Sequence, residues 1–186
     1  GSVTGLDIAA STVGGDLSLL SGNASGITDS GILTVGGNLD ATTNDNAGVI
    51  ELNDLAVDGT IGVVTDGLGN ATIVNDENVN FAASTVGGDL DATATTGNIS
   101  QSGSITVALT TTLETIADDA TITLLDPSNS FTGAITVATS GTEGDVSIDG
   151  GSATGLDIAA STVGGDLSLL SGNASGITDS GILTVG

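Results

Sequence analysis

The sequence has no Lys, Arg, His or Cys among its 186 residues, and these absences exclude whole classes of chemistry. Without His or Cys there is no imidazole base, no thiolate nucleophile, no disulfide and no zinc site of the usual ligand types. Without Lys or Arg there is no phosphate clamp or Schiff base. The 23 Asp and Glu residues give a formal charge of −23, which would repel a nucleic acid. We therefore expect no nucleic-acid binding. We also expect that the chain is not an enzyme, because acid–base catalysis by carboxylates normally needs polar or cationic neighbours.

Large side chains are almost as scarce as basic ones. Trp, Tyr and Met are absent, and only Phe81 and Phe131 are aromatic, so the core has to be aliphatic. Hydrophobic residues make up 38% of the chain and the mean hydropathy is +0.37, which is typical of a folded protein. The 30 glycines and the single Pro127 favour short strands and turns. No apolar run reaches the ~18 residues of a membrane span, so none is expected in this segment.

What the sequence does contain is repetition at several lengths. Residues 4–36 recur without a change at residues 154–186, 150 positions later. We therefore interpret residues 1–186 as one continuous array with a tandem unit of ~150 residues, 4–153, whose next copy starts at residue 154. A shorter echo lies inside this unit, because residues 9–17 reappear at residues 82–90, 73 positions on.

The finest repeat is a coil of about 21–22 residues. The pattern V-G-G-[DN]-L and its variant V-D-G-T-I place Val13, Val35 and Val57 at a spacing of 22, and apolar residues alternate with polar ones over short runs between glycine-rich breaks. Alternation with period two predicts strands, and the best helical candidate, residues 112–119, is short and rich in Thr and Asp. These features predict an all-β fold without α-helices: a parallel β-solenoid whose coils stack ~4.8 Å apart.

The same alignment gives two longer steps. The steps from Val57 to Val86 and from Val107 to Val137 exceed the basic coil by seven or eight residues. We interpret the extra residues as loop insertions within 58–86 and 108–137, which would be the natural place for a binding surface.

Calcium is the one cofactor that the sequence suggests; otherwise we expect none. Hard cations prefer several oxygen ligands, and the candidate clusters are Asn44-Asp45-Asn46, Asn75-Asp76-Glu77-Asn78 and Asp118-Asp119. In the 22-residue register Asp29 lies directly below Glu51, where two carboxylates ~4.8 Å apart repel by about 0.9 kcal/mol in water, and a cation would relieve this. None of the clusters fits the pattern of a known calcium loop, and a solvated Asx-rich turn is the alternative for each.

Sequons of the form Asn-x-Ser/Thr are a second set of candidate sites. They occur at Asn23, Asn70, Asn98 and Asn173. Such sequons arise easily by chance in a chain rich in Asn and Thr, so N-glycosylation is a hypothesis here.

Several segments resemble a known family. The runs GITDSGILTVGGNLDA (26–41), GNISQSGSITV (97–107) and ATITLLDPSNSFTGAITV (120–137) are similar to repeats of filamentous-haemagglutinin-like giant exoproteins, β-helical proteins of bacterial surfaces. The resemblance implies that this parallel β-solenoid is right-handed, a β-helical shaft that is extracellular or on the cell surface and serves adhesion, biofilm or cell-to-cell contact. It implies no site residue.

Together these observations predict a structural extracellular fibre or shaft without catalysis, whose partner is itself, through end-to-end continuation or lateral assembly. The alternative is an adhesin module that contacts a glycan or protein receptor through residues 58–86 and 108–137.

Overall fold

The computed structural model describes residues 5–44 and 47–186. Thr4, the first residue of the predicted repeat, and Asp45 and Asn46 of the first calcium cluster lie outside these ranges. The described residues form short strands and no α-helix, and none forms a helix long and apolar enough to cross a membrane. The strands in chain order are β1 (Leu6–Ile8), β2 (Ser11–Val13), β3 (Leu17–Ser21), β4 (Ile27–Asp29), β5 (Leu33–Val35), β6 (Leu39–Thr43), β7 (Ile50–Val57), β8 (Ile61–Val64), β9 (Ala71–Asn75), β10 (Val79–Phe81), β11 (Ser84–Val86), β12 (Leu90–Ala94), β13 (Ile99–Gln101), β14 (Ile105–Val107), β15 (Thr111–Asp118), β16 (Ile122–Leu124), β17 (Ser130–Phe131), β18 (Ile135–Ser140), β19 (Val146–Asp149), β20 (Leu156–Ile158), β21 (Ser161–Val163), β22 (Leu167–Leu170), β23 (Ile177–Asp179) and β24 (Leu183–Val185).

The strands build two parallel sheets, and the chain passes from one to the other in every coil. Sheet 1 has 13 strands and follows the path β1-β4-β7-β9-β12-β15-β18-β20-β23, with β2, β5, β21 and β24 beside it. Sheet 2 has 11 strands and contains β3, β6, β8, β10, β11, β13, β14, β16, β17, β19 and β22. Each strand pairs with its counterpart about one coil further along the chain, which gives a β-solenoid of about eight coils. The predicted fold class is confirmed.

One ladder of paired residues in sheet 1 shows that the length of a coil varies. The shortest step runs from Ala71 to Leu90 and the longest from Thr111 to Ile135, on either side of the predicted coil length. The members point inward, and stacking them ~4.8 Å apart creates a continuous aliphatic core. The core also accepts both aromatic side chains, since Phe81 and Phe131 are 0% and 1% exposed. The members of this ladder are Leu6, Ile27, Ile50, Ala71, Leu90, Thr111, Ile135 and Ile158.

The two predicted loop insertions are wrong. Residues 58–86 contain β8 to β11 and residues 108–137 contain β15 to β17, all paired within the two sheets. The long steps arise because Val57 lies in sheet 1 whereas Val86 and Val107 lie in sheet 2 and Val137 lies again in sheet 1. The V-G-G pattern moves from one sheet to the other, so each of the two long steps spans about one and a half ordinary coils.

This change of sheet follows a rule. The strands at 6–8, 11–13 and 17–21 reappear as β10, β11 and β12 after the shorter repeat distance, and each copy lies on the opposite sheet. We call the stretch from β1 to the start of β10 a half-unit. The chain makes seven passes between the sheets over this stretch, so a half-unit spans three and a half coils.

A second half-unit returns the pattern to its first sheet. Strands β20 to β24 repeat β1 to β5 in sequence and occupy the same sheets as they do. The molecule is therefore built from half-units related by half a turn about the axis, and two of them complete the tandem unit.

One member of the core ladder is polar. Thr111 is 1% exposed, and its Oγ1 has no hydrogen-bond partner, a condition that it shares only with Asn80 Oδ1 among the buried side-chain atoms of the described residues. Its neighbours in the ladder are Leu90 below and Ile135 above. A buried hydroxyl without a partner loses its hydrogen bonds to water and gains none in the protein, which lowers the stability of the fold.

We predict that Thr111→Val stabilises the protein by about 1–2 kcal/mol, because valine has nearly the same shape and removes the unpaired hydroxyl. The midpoint of urea unfolding measures this change. Thr111→Ser keeps the hydroxyl but loses the methyl group, and it should destabilise. A Thr111→Val protein less stable than the parent would contradict the assignment.

Candidate functional site

Polar side chains at the corners of the coil bind the next coil rather than solvent alone. Asp16 Oδ1 accepts a hydrogen bond from the backbone N–H of Asn38 (2.8 Å), and Asn38 Oδ1 accepts one from the N–H of Thr60 (2.9 Å). We call such a series a corner ladder. The other corner ladders in the described residues are Asn70–Asp89–Thr110, Asn78–Asn98–Thr121 and Asp145–Asp166, with N···O distances of 2.7–2.9 Å.

Each corner ladder runs in one direction, from a side-chain oxygen to the backbone N–H of the following coil. Three of them end on a threonine whose hydroxyl also donates to the oxygen below: Thr60 (2.9 Å), Thr110 (2.6 Å) and Thr121 (3.3 Å). Because an Asp or Asn oxygen at this position fixes the residue above it, the ladder sets the register of neighbouring coils. The Asp and Asn that follow glycine pairs, such as Asp16 and Asn38, are thus explained by stacking.

We predict that Asn38→Ala costs about 1 kcal/mol of stability, because it removes the acceptor for both the N–H and the hydroxyl of Thr60. Chemical denaturation provides the measurement. Asn38→Asp keeps the acceptor and is the matched control, although it adds a charge above Asp16 and should recover more of the lost stability at high salt. Equal losses for the two variants at high salt would show that the acceptor does not matter.

The outer face of sheet 1 carries a second pattern, in which threonines separate the acids. Its members, paired in order, are Asp7, Thr28, Glu51, Thr72, Asp91, Thr112 and Thr136. The acids are therefore two coils apart, ~9.6 Å, where Coulomb repulsion is half that of direct neighbours and salt screens most of it. A threonine also bonds the acid below, as Thr178 Oγ1 does to Asp157 Oδ1 (2.9 Å).

The carboxyl of Asp91 is partly buried by the threonines of the neighbouring coils. The residue is exposed as a whole, but Thr72 and Thr112 flank it in the neighbouring coils, and burial of its carboxyl raises the pKa of Asp91. A raised pKa means that the folded chain holds this proton more tightly than the unfolded chain does. Stability is therefore lost as pH rises from below the ordinary value of 3.8 through the raised pKa.

We predict that Asp91→Asn is more stable than the parent at pH 7, because the amide mimics the protonated acid. The advantage should disappear below about pH 3, where both proteins are neutral at this position. Thermal midpoints of the two proteins from pH 2.5 to 7 test this, and a difference that does not increase with pH would refute it.

The predicted stacking of Asp29 under Glu51 is wrong. Glu51 lies opposite Thr28, because the step from Ile27 to Ile50 is one residue longer than the V-G-G register. The register is restored further along the coil, since Leu33 pairs with Leu55. Asp29 has a structural task instead: its Oδ1 and Oδ2 accept the N–H groups of Asn53 (3.0 Å) and Asp54 (2.8 Å), where β7 bulges away from its neighbour.

Asp118 and Asp119 lie along an open polar groove of about 410 Å³ that also includes Glu77. Their carboxylates already accept hydrogen bonds, Asp118 Oδ1 from Ser140 Oγ (2.8 Å) and Asp119 Oδ1 from the N–H of Glu143 (3.0 Å). In residues 5–44 and 47–186 no group of three or more acids is placed to hold a metal ion. Calcium binding stays a prediction of the sequence.

The four sequons differ in how their side chains are used. Asn70 and Asn98 are exposed and belong to corner ladders through Oδ1. Asn23 is half-buried and accepts the N–H of Ser25 (2.8 Å), whereas Asn173 is half-buried and its Nδ2 donates to Ser152 O (2.9 Å). Glycosylation of these residues stays a prediction.

Two buried amides are functional parts of the fold that the sequence pattern did not reveal. Asn129 is 1% exposed and exchanges hydrogen bonds with Gln101, while its Oδ1 accepts the N–H of Ile105. Asn75 is fully buried and bonds both the N–H and the carbonyl of Val57. Asn75 continues the alternation of Ala71 and Ile73, whereas Asn129 lies in a polar run that gives no sign of burial. Both join neighbouring coils.

Buried threonines bind the backbone within their own turns. The hydroxyls of Thr43, Thr65, Thr115 and Thr139 donate to carbonyls four or five residues later. The polar groups of the interior are therefore largely paired with one another, and the described residues present a stacked scaffold.

The fold and this self-satisfied polar interior define a tandem-repeat β-solenoid protein. A family model for repeats of unknown function (DUF5649) matches residues 1–67, 68–138 and 143–186, nearly the whole chain, and the chain belongs to that family. The first two matches are each close in length to the half-unit. No curated protein and no solved structure matches the chain.

Proposed function

We propose that the chain forms the shaft of an extracellular or cell-surface fibre, with a mechanical and surface-covering role and no catalysis. The observation that supports this best is the continuity of the stack: ladders of paired residues run from coil to coil through both half-units without an interruption between them. A repeat that ends where the next begins, in register, can extend a rod without changing its cross-section.

The direction of the hydrogen bonds suits a load-bearing rod. In a parallel stack the backbone bonds between coils lie along the axis, and each coil is joined to the next through both sheets. The corner ladders and the buried amides add bonds in the same direction. Pulling along the axis therefore loads many hydrogen bonds at once.

The surface suits exposure outside a cell. It has no Lys or Arg, so proteases that cut after basic residues have no site, and its acids are separated along sheet 1 by threonines. Net negative charge also keeps neighbouring rods apart in solution. The resemblance to filamentous-haemagglutinin-like exoproteins is the ground for placing the shaft at a bacterial surface, in a biofilm or at contacts between cells.

The adhesin alternative loses its structural basis, because the segments that were to supply its loops are strands of the two sheets. We therefore do not propose a receptor-binding surface.

Electron micrographs of the native material test the proposal. We expect thin, uniform fibres with a ~4.8 Å spacing along the axis and a repeat of roughly 34 Å, which is seven coils. Antibodies against the chain should label intact cells without permeabilisation. Isolated globular particles, or labelling only after lysis, would count against a surface fibre.

A further inference from the structure

Acidic residues are distributed unevenly between the two sheets. The described strands of sheet 2 contain only Asp40 and Asp149, and Asp149 is 7% exposed, with its Oδ1 accepting the N–H of Gly151 (2.8 Å). Asp40 is therefore the one exposed acid in those strands. Asp126, in the turn between β16 and β17, is half-buried and accepts the N–H of Ser128 (2.8 Å). The strands of sheet 1, in contrast, contain nine acids: Asp7, Asp29, Glu51, Asp54, Asp91, Glu114, Asp118, Asp157 and Asp179.

Comparison of the two half-units shows that the acids follow the side of the rod rather than the repeated sequence. The half-units align through their nine-residue repeat and the runs ITDSG and ISQSG, and their equivalent strands lie on opposite sheets. Two positions carry the acid on sheet 2, Asp40 against Thr112 and the buried Asp149 against Val74. At five others the residue on sheet 1 is acidic and its equivalent on sheet 2 is neutral: Asp7 and Asn80, Asp29 and Gln101, Glu51 and Thr123, Asp91 and Ser18, and Glu114 and Thr42.

The outer face of sheet 2 is built from two ladders of uncharged residues, which we call together the neutral face. The inner sides of both sheets share one aliphatic core, so their outer faces point away from each other. One ladder consists of Asn80, Ser100, Thr123, Ser147 and Ser168. The other consists of Leu20, Thr42, Val64, Thr85, Thr106 and Ser130.

We propose that the neutral face binds the neutral face of a second copy of this chain, so that two rods lie side by side. The inference deepens the shaft proposed above and rests on it for its setting. Hydroxyl and amide groups both donate and accept hydrogen bonds, so a face built from them is complementary to itself, as a two-fold contact requires. Ionised carboxylates only accept, so the outer face of sheet 1 lacks this property.

Charge selects the same contact. Two chains of charge −23 repel, and packed sheets lie ~10 Å apart, a distance at which charges still interact at low salt. Contact through sheet 1 would set the acids of that sheet against those of the second copy. Contact through sheet 2 leaves only Asp40 as an exposed strand acid between the rods.

The same distribution limits the assembly to two rods. In the pair, the acids of sheet 1 lie on both outer sides, where they repel a third rod. The described stack of about eight coils is only ~38 Å long, so its neutral face is small by the standard of stable complexes. One chain of this length should therefore pair weakly, and a longer rod should pair more tightly because its contact area grows with each coil.

Sedimentation equilibrium of the full chain tests the proposal, at concentrations up to ~1 mM and at ~0.02 M and ~0.5 M salt. We expect a species of twice the chain mass of 17.6 kDa, with an association constant at least tenfold higher at the higher salt. Small-angle scattering should show that the dimer is wider than the monomer and equally long. This distinguishes lateral pairing from stacking end to end.

The decisive variant moves one acid between the sheets without changing composition or net charge. It combines Glu51→Thr with Thr123→Glu, so that the acid leaves sheet 1 for the equivalent position on the neutral face. Thr123 is exposed between Ser100 and Ser147, so the fold should accept the larger side chain, and an unchanged circular dichroism spectrum would show this. We expect its association constant to fall at least tenfold.

Two further variants serve as controls. Thr136→Glu adds an acid to the outer face of sheet 1, two coils from Asp91, and should pair like the parent. Asp40→Asn removes the exposed acid of the sheet 2 strands and should pair more tightly, most clearly at low salt.

A parent chain that stays monomeric at both salt concentrations, a dimer that is longer rather than wider, or an exchange variant that pairs like the parent overturns the proposal. Native fibres one rod wide with the seven-coil repeat, beside a monomeric chain, would reject the pairing and keep the shaft. Side-by-side dimers in solution, with antibody labelling of cells only after lysis, would keep the pairing and reject the surface shaft.

Discussion

The pairing of each strand with its counterpart one coil further on is the interaction on which the rest of this structure depends. Because paired strands lie ~4.8 Å apart, each side chain has to be compatible with the side chain at the same position of the next coil. Aliphatic side chains meet this condition by packing, and Asp and Asn meet it by accepting an N–H from the next coil, as Asp16 and Asn38 do. On the outer face of sheet 1 the condition is met by spacing, since Thr72 separates Glu51 from Asp91. The predominance of aliphatic residues, Asp, Asn and Thr in the sequence therefore follows from the stacking of the coils.

The lack of basic residues acquires a structural meaning in this setting. With no Lys, Arg or His in the chain, its carboxylates have to be accommodated by spacing, by hydration, or by hydroxyl and backbone N–H donors. Asp29 takes two such donors at the bulge of β7, and Asp16 takes one at a corner. The carboxyl of Asp91 is partly buried without such compensation, and this burial raises its pKa.

Much of the fold could be predicted from the sequence, because period-two alternation and glycine-rich breaks are local signals. The pairing of Val13 with Val35 and of Val35 with Val57 could also be predicted, since the same motif marks all three residues. The stacking of Asp29 under Glu51 was predicted wrongly, because the step from Ile27 to Ile50 is one residue longer than the step from Leu33 to Leu55 and no local pattern marks the difference. The change of sheet was hidden for a related reason: the motif is identical on either sheet, so only the pairing reveals which one it occupies. The surface role remains an inference from family resemblance.

The half-turn relation between half-units has a consequence for how such a gene can change in length. Adding or removing one whole tandem unit, seven coils, would leave every following strand on its own sheet. Loss of a single half-unit would instead shift the downstream chain by three and a half coils and exchange its two sheets. A change in length that preserves the sheets therefore has to proceed in pairs of half-units, and the exact repeat of residues 4–36 at residues 154–186 has this spacing.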